Sequence, residues 1–300
     1  MIRKLISAFI LISLLTVSAV ARPGSSWLEI GPGGRAAALG EAMTASVNGA
    51  TASYWNPAKV GLSGSSIEVM YADWWVDQSS TQYLAGDFSK GKIGFAVDAI
   101  HVGIYDMELR SRPSATPIGE YDARNYAIGA TLALPVISRL RAGVHVQYLS
   151  ESIYVHNANG WASNFGLYYS QLFNYSLDIG FSARNLGNID AIDEEAFKLP
   201  ATYSLGMVYH ISSVSSQLFK PRIMMDVVKV ESYDLNLKVG AEADVYEYLS
   251  ARVGYVGGIE GQGLSFGFGV NWESWRFDYG YTPLQEDLGT AQRISVSATW

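Results

Sequence analysis

Fourteen stretches of this chain alternate apolar and polar residues with a period of two, and nothing else in the sequence constrains the fold as strongly. Successive side chains of a strand point to opposite faces, so each run has one apolar face and one polar face. In residues 264–272 the apolar set is Leu264, Phe266, Phe268, Val270 and Trp272, against Ser265, Gly267, Gly269 and Asn271. In residues 235–243 Leu235, Leu237, Val239, Ala241 and Ala243 face Asn236, Lys238, Gly240 and Glu242 across the strand. The runs fall at 66–74, 80–88, 92–104, 121–134, 139–153, 161–172, 175–186, 201–212, 220–230, 234–245, 248–257, 262–272, 274–281 and 291–300. Most are 8–15 residues long, whereas strands of globular proteins average about five or six. A tilted strand needs about 9–11 residues to cross a bilayer.

Two architectures fit such a chain: a soluble all-β protein, or a membrane barrel whose per-strand signal is weak because apolar and polar residues alternate. The connections favour the barrel. Lys90-Gly91, 135–138, Asn174, Tyr246-Glu247 and Glu273 are tight, whereas 105–120, 152–160, 187–200 and 282–290 are longer and polar. Outer-membrane barrels have short turns at one end and longer loops at the other. Aromatic residues collect at both ends of the runs. Phe173, Tyr175, Tyr246, Tyr248, Trp272, Trp275 and Trp300 lie on the tight side, and Trp74, Trp75, Tyr105, Tyr121, Tyr154, Trp161, Tyr233, Tyr255 and Tyr281 on the loop side. These read as two interfacial girdles.

The first residues read as an export leader. Arg3 and Lys4 precede the uncharged stretch 5–17, and Ala19-Val20-Ala21 is a small-x-small cleavage site. No later run of 18 apolar residues could form a spanning helix. The chain has no cysteine, so no disulfide framework. Its formal net charge is −7 and grows more negative without Arg3 and Lys4. That argues against a nucleic-acid partner.

Residues 22–64 have a different character. Gly31-Pro-Gly-Gly34 is a turn cluster, and the Ala-rich residues 35–45 read as a short helix with a small-residue face. Tyr54-Trp55-Asn56-Pro57-Ala58 follows as a rigid bend. Pro57 excludes a central strand, and Asn56 before it is pushed out of the α region.

The block Trp27-Leu-Glu-Ile-Gly-Pro-Gly-Gly-Arg-Ala-Ala-Ala-Leu-Gly40, followed by Tyr54-Trp-Asn-Pro-Ala58, resembles the PorV/PorQ family of bacterial outer-membrane proteins, which is related to the FadL long-chain fatty-acid transporters. Ala183-Arg-Asn-Leu-Gly187, Leu249-Ser-Ala-Arg-Val-Gly-Tyr255, Phe277-Asp-Tyr-Gly-Tyr281 and Asp287-Leu-Gly-Thr290 extend the match as far as Trp300. The resemblance implies a fourteen-stranded barrel with an N-terminal plug in its lumen, in which Asn56, Pro57 and Ala58 match the plug motif of the fatty-acid transporters. It also implies that Trp300 is the aromatic C-terminal signal read by the outer-membrane assembly machinery. Some relatives serve type IX secretion by receiving cargo proteins.

No catalytic constellation stands out. His145 lies on a polar face and could pair with Asp98 or Asp178, but inward titratable groups are ordinary in a polar lumen. The inward charges are Arg141, Asp178, Arg184, Lys238, Glu242, Asp244, Arg276, Asp278 and Arg293. They could line a polar path, seat the plug, or simply pair across strands. Asp193-Glu194-Glu195 could bind a cation but reads first as a solvated loop.

The expectation is therefore an all-β chain: a leader (1–21), a short luminal plug containing a short helix (22–64), and a transmembrane antiparallel β-barrel of about fourteen strands (65–300) in the outer membrane. Tyr54, Trp55, Asn56, Pro57 and Ala58 are the expected ligand and plug residues. Trp74, Trp75, Trp161, Trp272, Trp275 and Trp300 are the expected interfacial aromatics. The chain is expected to be no enzyme and to need no cofactor or metal. Its expected partners are outer-membrane lipids, the assembly machinery, and a hydrophobic ligand or, alternatively, secretion-system proteins.

Overall fold

The computed structural model describes residues 24–74, 79–110, 116–174, 176–190, 198–216, 218–231, 233–259, 261–284 and 289–300. The expected leader, Trp75, Tyr175, the acidic run 193–195 and Asp287 lie outside the described residues.

Among the described residues fourteen antiparallel strands close into a barrel. They are β1 (Ser66–Asp73), β2 (Ser79–Lys90), β3 (Ile93–Leu109), β4 (Gly119–Ile137), β5 (Leu140–Ile153), β6 (His156–Tyr169), β7 (Leu177–Ile189), β8 (Thr202–His210), β9 (Phe219–Val230), β10 (Leu235–Val245), β11 (Leu249–Gly257), β12 (Leu264–Trp272), β13 (Trp275–Pro283) and β14 (Thr290–Thr299). Each pairs with its sequence neighbours, and β1 pairs with β14 from Ser66↔Thr299 to Asp73↔Gln292. Each strand corresponds to one alternating run.

The polar face turns inward. Asn236, Lys238 and Glu242 of β10 are buried, whereas Leu235 and Leu237 are exposed. Ile128 is 63% exposed, Phe268 55% and Leu205 53%. Leaving such side chains in water forfeits about 1.5–3 kcal/mol each, and an apolar belt this extensive marks an apolar surrounding. Trp272 pairs with Trp275 at the short-turn end, where Phe88 packs edge-on against Trp300. At the long-loop end Trp161 is 61% exposed and packs edge-on against Tyr148.

Three expectations need correction. Residues 105–120 are ladder at both ends rather than loop throughout: after a bulge at Tyr105-Asp106, with Asp106 at φ 54°, pairing resumes at Met107↔Tyr121 and runs to Leu109↔Gly119. Residues 152–160 are a tight hairpin at Tyr154-Val155, closed by Ile153↔His156. Residues 105–109 keep the alternation, Tyr105, Met107 and Leu109 against Asp106 and Glu108, but the bulge and the charges make them read as loop; residues 152–160 do not alternate. Trp74, expected among the interfacial aromatics, turns inward, where its Nε1 donates to Thr81 Oγ1 at 2.9 Å and the Arg293 guanidinium lies 5.1 Å over its ring.

Candidate functional site

Residues 24–64 run inside the barrel from the long-loop end to the short-turn end. At the top, the 3-10 turn Ser26–Glu29 places Trp27 and Leu28 against inward side chains that include Ile100, Val102, Leu149, Ile189 and Leu199. This is one of two apolar inner surfaces; in the other Leu39, Met43, Val47 and Val60 meet Ala96, Ala133, Val208 and Met224. Trp27 Nε1 donates to Glu151 Oε1 at 2.7 Å. The helix α1 (Gly34–Ala38) then lies along β11–β14. The helix α2 (Ala52–Trp55) and the turn Pro57–Lys59 cross to β3–β6. Ser65 and Trp300 exchange two backbone hydrogen bonds at the far end (3.3 and 3.0 Å).

Inward glycines seat this segment. A Cβ on Gly94 would meet the Val60 carbonyl; on Gly143, Pro57 and Ala58; on Gly166, the Asn56 side chain; on Gly180, the Thr44 carbonyl; on Gly254, the Gly40 amide; on Gly280, the Gly34 carbonyl. At Gly94, Gly143, Gly180, Gly254 and Gly280 backbone therefore packs directly on backbone.

The bend at 54–58 ties the inner segment together. Asn56 Oδ1 accepts from the Ala58 amide at 3.1 Å, and its Nδ2 donates to the carbonyls of Thr44 (2.7 Å) and Leu167 (3.1 Å). Tyr54 donates to the Leu28 carbonyl at 2.8 Å and Trp55 to that of Pro32 at 3.0 Å. Their rings meet edge to face, with the Arg184 guanidinium 4.6 Å over Tyr54. Pro57 opens the 3-10 turn, where its missing N–H costs nothing. Arg141 donates to the carbonyls of Ala58, Val60 and Lys92. Lys59 donates to the Ala45 carbonyl at 2.7 Å, over the Tyr168 ring. Burial lowers the Lys59 ammonium to about 7.

Two charge clusters fix the helical part. Glu242, fully buried, receives Arg35 of α1 at 2.7 Å, Arg222 at 2.8 Å and Arg252 at 2.7 Å. Asp278 holds Arg252 and Arg276, and Asp244 holds Arg222. Glu41 receives Lys238 at 2.9 Å and Arg293 at 2.7 Å. Burial alone would raise the Glu41 carboxyl, but these two cations outweigh it and hold it at about 2. Asp226 accepts from the Thr44 amide at 2.8 Å. So of the inward charges read from the sequence, Arg141, Arg184, Lys238, Glu242 and Arg293 touch the inner segment. Asp178, Asp244, Arg276 and Asp278 pair with the wall. Arg35, Glu41 and Asp226 escaped the sequence reading because their partners are far along the chain.

His145 contacts Asp98 at 3.5 Å and Thr131 at 2.9 Å, whereas Asp178 faces His210 at 3.4 Å. Among the described residues no group of His, Cys, Asp or Glu could hold a metal ion.

Two cavities flank α1. One of about 400 Å³ opens at the short-turn end among Arg35, Asn48, Ser66, Glu68, Arg276 and Asp278. The other, of about 170 Å³, lies at the long-loop end among Glu29, Ile30, Glu41, Trp74, Leu284 and Arg293. The backbone of α1, with the Arg35–Glu242 ion pair, separates them.

No family model matches the chain, and no curated protein does. Solved structures do. The toluene transporter TbuX of Ralstonia pickettii matches with a TM-score of 0.60 at 14% identity, over 89% of this chain and 97% of that one. The toluene transporter TodX of Pseudomonas putida matches with a TM-score of 0.60 at 12% identity, over 89% and 97%. A FadL homologue of Pseudomonas aeruginosa matches with a TM-score of 0.54 at 11% identity, over 88% and 97%. At such identities the likeness is one of fold: this chain shares the fourteen-stranded barrel of FadL-type transporters.

Proposed function

We propose that this protein is an outer-membrane channel of the FadL-like PorV/PorQ group that binds small hydrophobic molecules at its long-loop end and passes them inward, with residues 24–64 as its plug. The observation that carries this reading is the apolar inner surface around Ile100, Val102, Leu149, Ile189 and Leu199. A pore for ions or sugars has no use for such a lining, whereas a hydrophobic solute gains about 25 cal/mol per Å² buried there. That TbuX and TodX are both toluene transporters supports the same class of solute.

In the present state Trp27 and Leu28 cover this surface. A solute entering from the loops displaces them. Tyr54 and Trp55 hold the carbonyls of Leu28 and Pro32, so the displacement pulls on the bend and, through Gly33, on α1. Withdrawing α1 from Glu242 joins the two cavities into a path. Lipids contact the apolar belt, and the assembly machinery reads the strand that ends at Trp300.

The test is uptake of labelled toluene by Gram-negative cells that lack a channel of their own. Cells carrying the protein should take it up several-fold faster than empty-vector cells, and Trp27→Ala should raise the rate further. Equal uptake with and without the protein overturns the reading. Co-purification of secreted cargo instead would favour the secretion role.

A further inference from the structure

Trp27 occupies the inner apolar surface in the way a bound molecule would. The residue is buried in one cluster with inward side chains that include Leu149 and Ile189. The wall there is built small. Ala158 stands directly across the ladder from Glu151, and Ala127 across from Leu149, both alanines being buried in the same cluster. Small inward residues leave the depth that a planar ring fills. The polar atom of the ring is matched as well: Nε1 donates to Glu151 Oε1 at 2.7 Å. Among the described residues the Trp27 indole is the hydrogen-bond partner of this half-buried carboxylate, and no lysine, arginine or histidine forms an ion pair with it. The turn that presents Trp27 is strained. Ser25, which opens it, lies in the left-handed region at φ 58°, and its hydroxyl is buried without a partner among the described residues. A non-glycine residue is held there only at a cost, and that cost is relieved when the turn lets go.

We propose that Trp27 is a tethered substitute for the ligand, and that the site it covers binds an uncharged aromatic bicycle carrying an N–H donor, of which indole is the simplest. The free molecule replaces the Trp27 ring on the apolar surface and takes over its bond to Glu151. The assignment rests on the reading above, that a hydrophobic solute displaces Trp27, and names the class of solute. Trp27 then acts as an intramolecular competitor. A short tether holds its ring at an effective concentration on the order of millimolar. The free ligand finds its site only in the fraction of molecules that Trp27 has left, and its apparent affinity falls by that fraction. A bicycle of the same shape without the N–H gains the same apolar contact but leaves the Glu151 oxygen without its donor, so it binds more weakly. Shape and one hydrogen bond make the selection, and no charge on the ligand enters it.

Calorimetric titration of the full chain in detergent tests this, with indole and with indene, its carbocyclic counterpart that lacks the N–H, each corrected for the heat of mixing into detergent alone. Trp27→Gly, with its barrel shown intact by resistance to unfolding in unheated detergent gels, should bind indole at least about tenfold tighter than the parent chain. It should also prefer indole to indene by about fivefold or more. Adding Glu151→Met should bring that preference close to one. Trp27→Phe, which keeps a ring on the surface, should bind indole within about twofold of the parent. No gain in Trp27→Gly, an equal gain in Trp27→Phe, indene bound as tightly as indole, or a preference that survives Glu151→Met overturns the assignment. The two proposals fail separately. Indole binding to Trp27→Gly without cellular toluene uptake leaves this site standing and removes the transport reading. Uptake without discrimination between indole and indene does the reverse.

Discussion

Lys59 places an ammonium group inside the barrel with a carbonyl and an aromatic face as its close partners. Burial lowers it to about 7 in the seated inner segment, whereas a displaced, solvated lysine titrates near 10.4. The seated form therefore binds fewer protons between those values. Lys59 contributes no pH dependence above about 10.5, destabilises seating progressively as pH falls to about 7, and adds nothing further below that. The upper bound is about 5 kcal/mol, at 1.36 kcal/mol per pKa unit. Glu41 has the opposite sign: its stabilisation is present above about 4.5 and is lost as pH falls toward 2. Hydrogen exchange over residues 52–61, corrected for intrinsic rates, should show opening increase from pH 10 to 7, and Lys59→Met should abolish that slope. Glu242 is the other sensitive residue. Glu242→Gln leaves Arg35, Arg222 and Arg252 without their shared carboxylate, which should cost about 3–5 kcal/mol. Protease cleavage within residues 30–50 of the folded variant measures it. Asn56 and Pro57 could be picked out in sequence because a proline bend is a local signal. Arg35 could not: its partner lies 207 residues away, and its neighbours spell only an Ala-rich helix.

Strands were the most legible elements, because an apolar belt against a polar lumen forces alternation through every crossing. Legibility stopped where the belt stops. The last residues of β3, the first two of β4 and the Tyr154-Val155 hairpin were read as loops, the first because a bulge at Tyr105-Asp106 and charged residues interrupt the pattern there. Inward glycines were visible only as composition; at Gly94, Gly143, Gly180, Gly254 and Gly280 their cause is the backbone of residues 34–61 pressing on the wall. Gly143→Val would drive a side chain into Pro57 and Ala58, so it should expose residues 52–61 to protease while the barrel keeps its resistance to unfolding in unheated detergent gels. At Gly119 the nearest atom to an added Cβ is 3.9 Å away. Gly119→Ala should behave like the parent protein in both assays, and a loss of plug protection there would show that strand glycines matter for flexibility rather than for space.

For the whole molecule, closure is the governing fact. A closed ring has no free edge, and its last joint is β1 on β14. Trp300 adds two backbone bonds with Ser65 just beyond that ladder. Deleting Trp300 should lower the yield of assembled barrel in cells several-fold while barely moving the unfolding midpoint of what does assemble; quantitative heat-modifiability gels separate the two. Closure also fixes an order of events. The inner segment is tethered beside the joint at Ser65, yet its Trp27 reaches Glu151 at the opposite mouth. A ring that had already shut would have to admit some forty residues lengthwise past Arg141, Lys238 and Glu242. It is far easier for the wall to be wrapped around a strand already laid down. Residues 24–64 would then be the mandrel on which the later strands are wound, and the same segment supplied afterwards as a separate peptide should not find its way in.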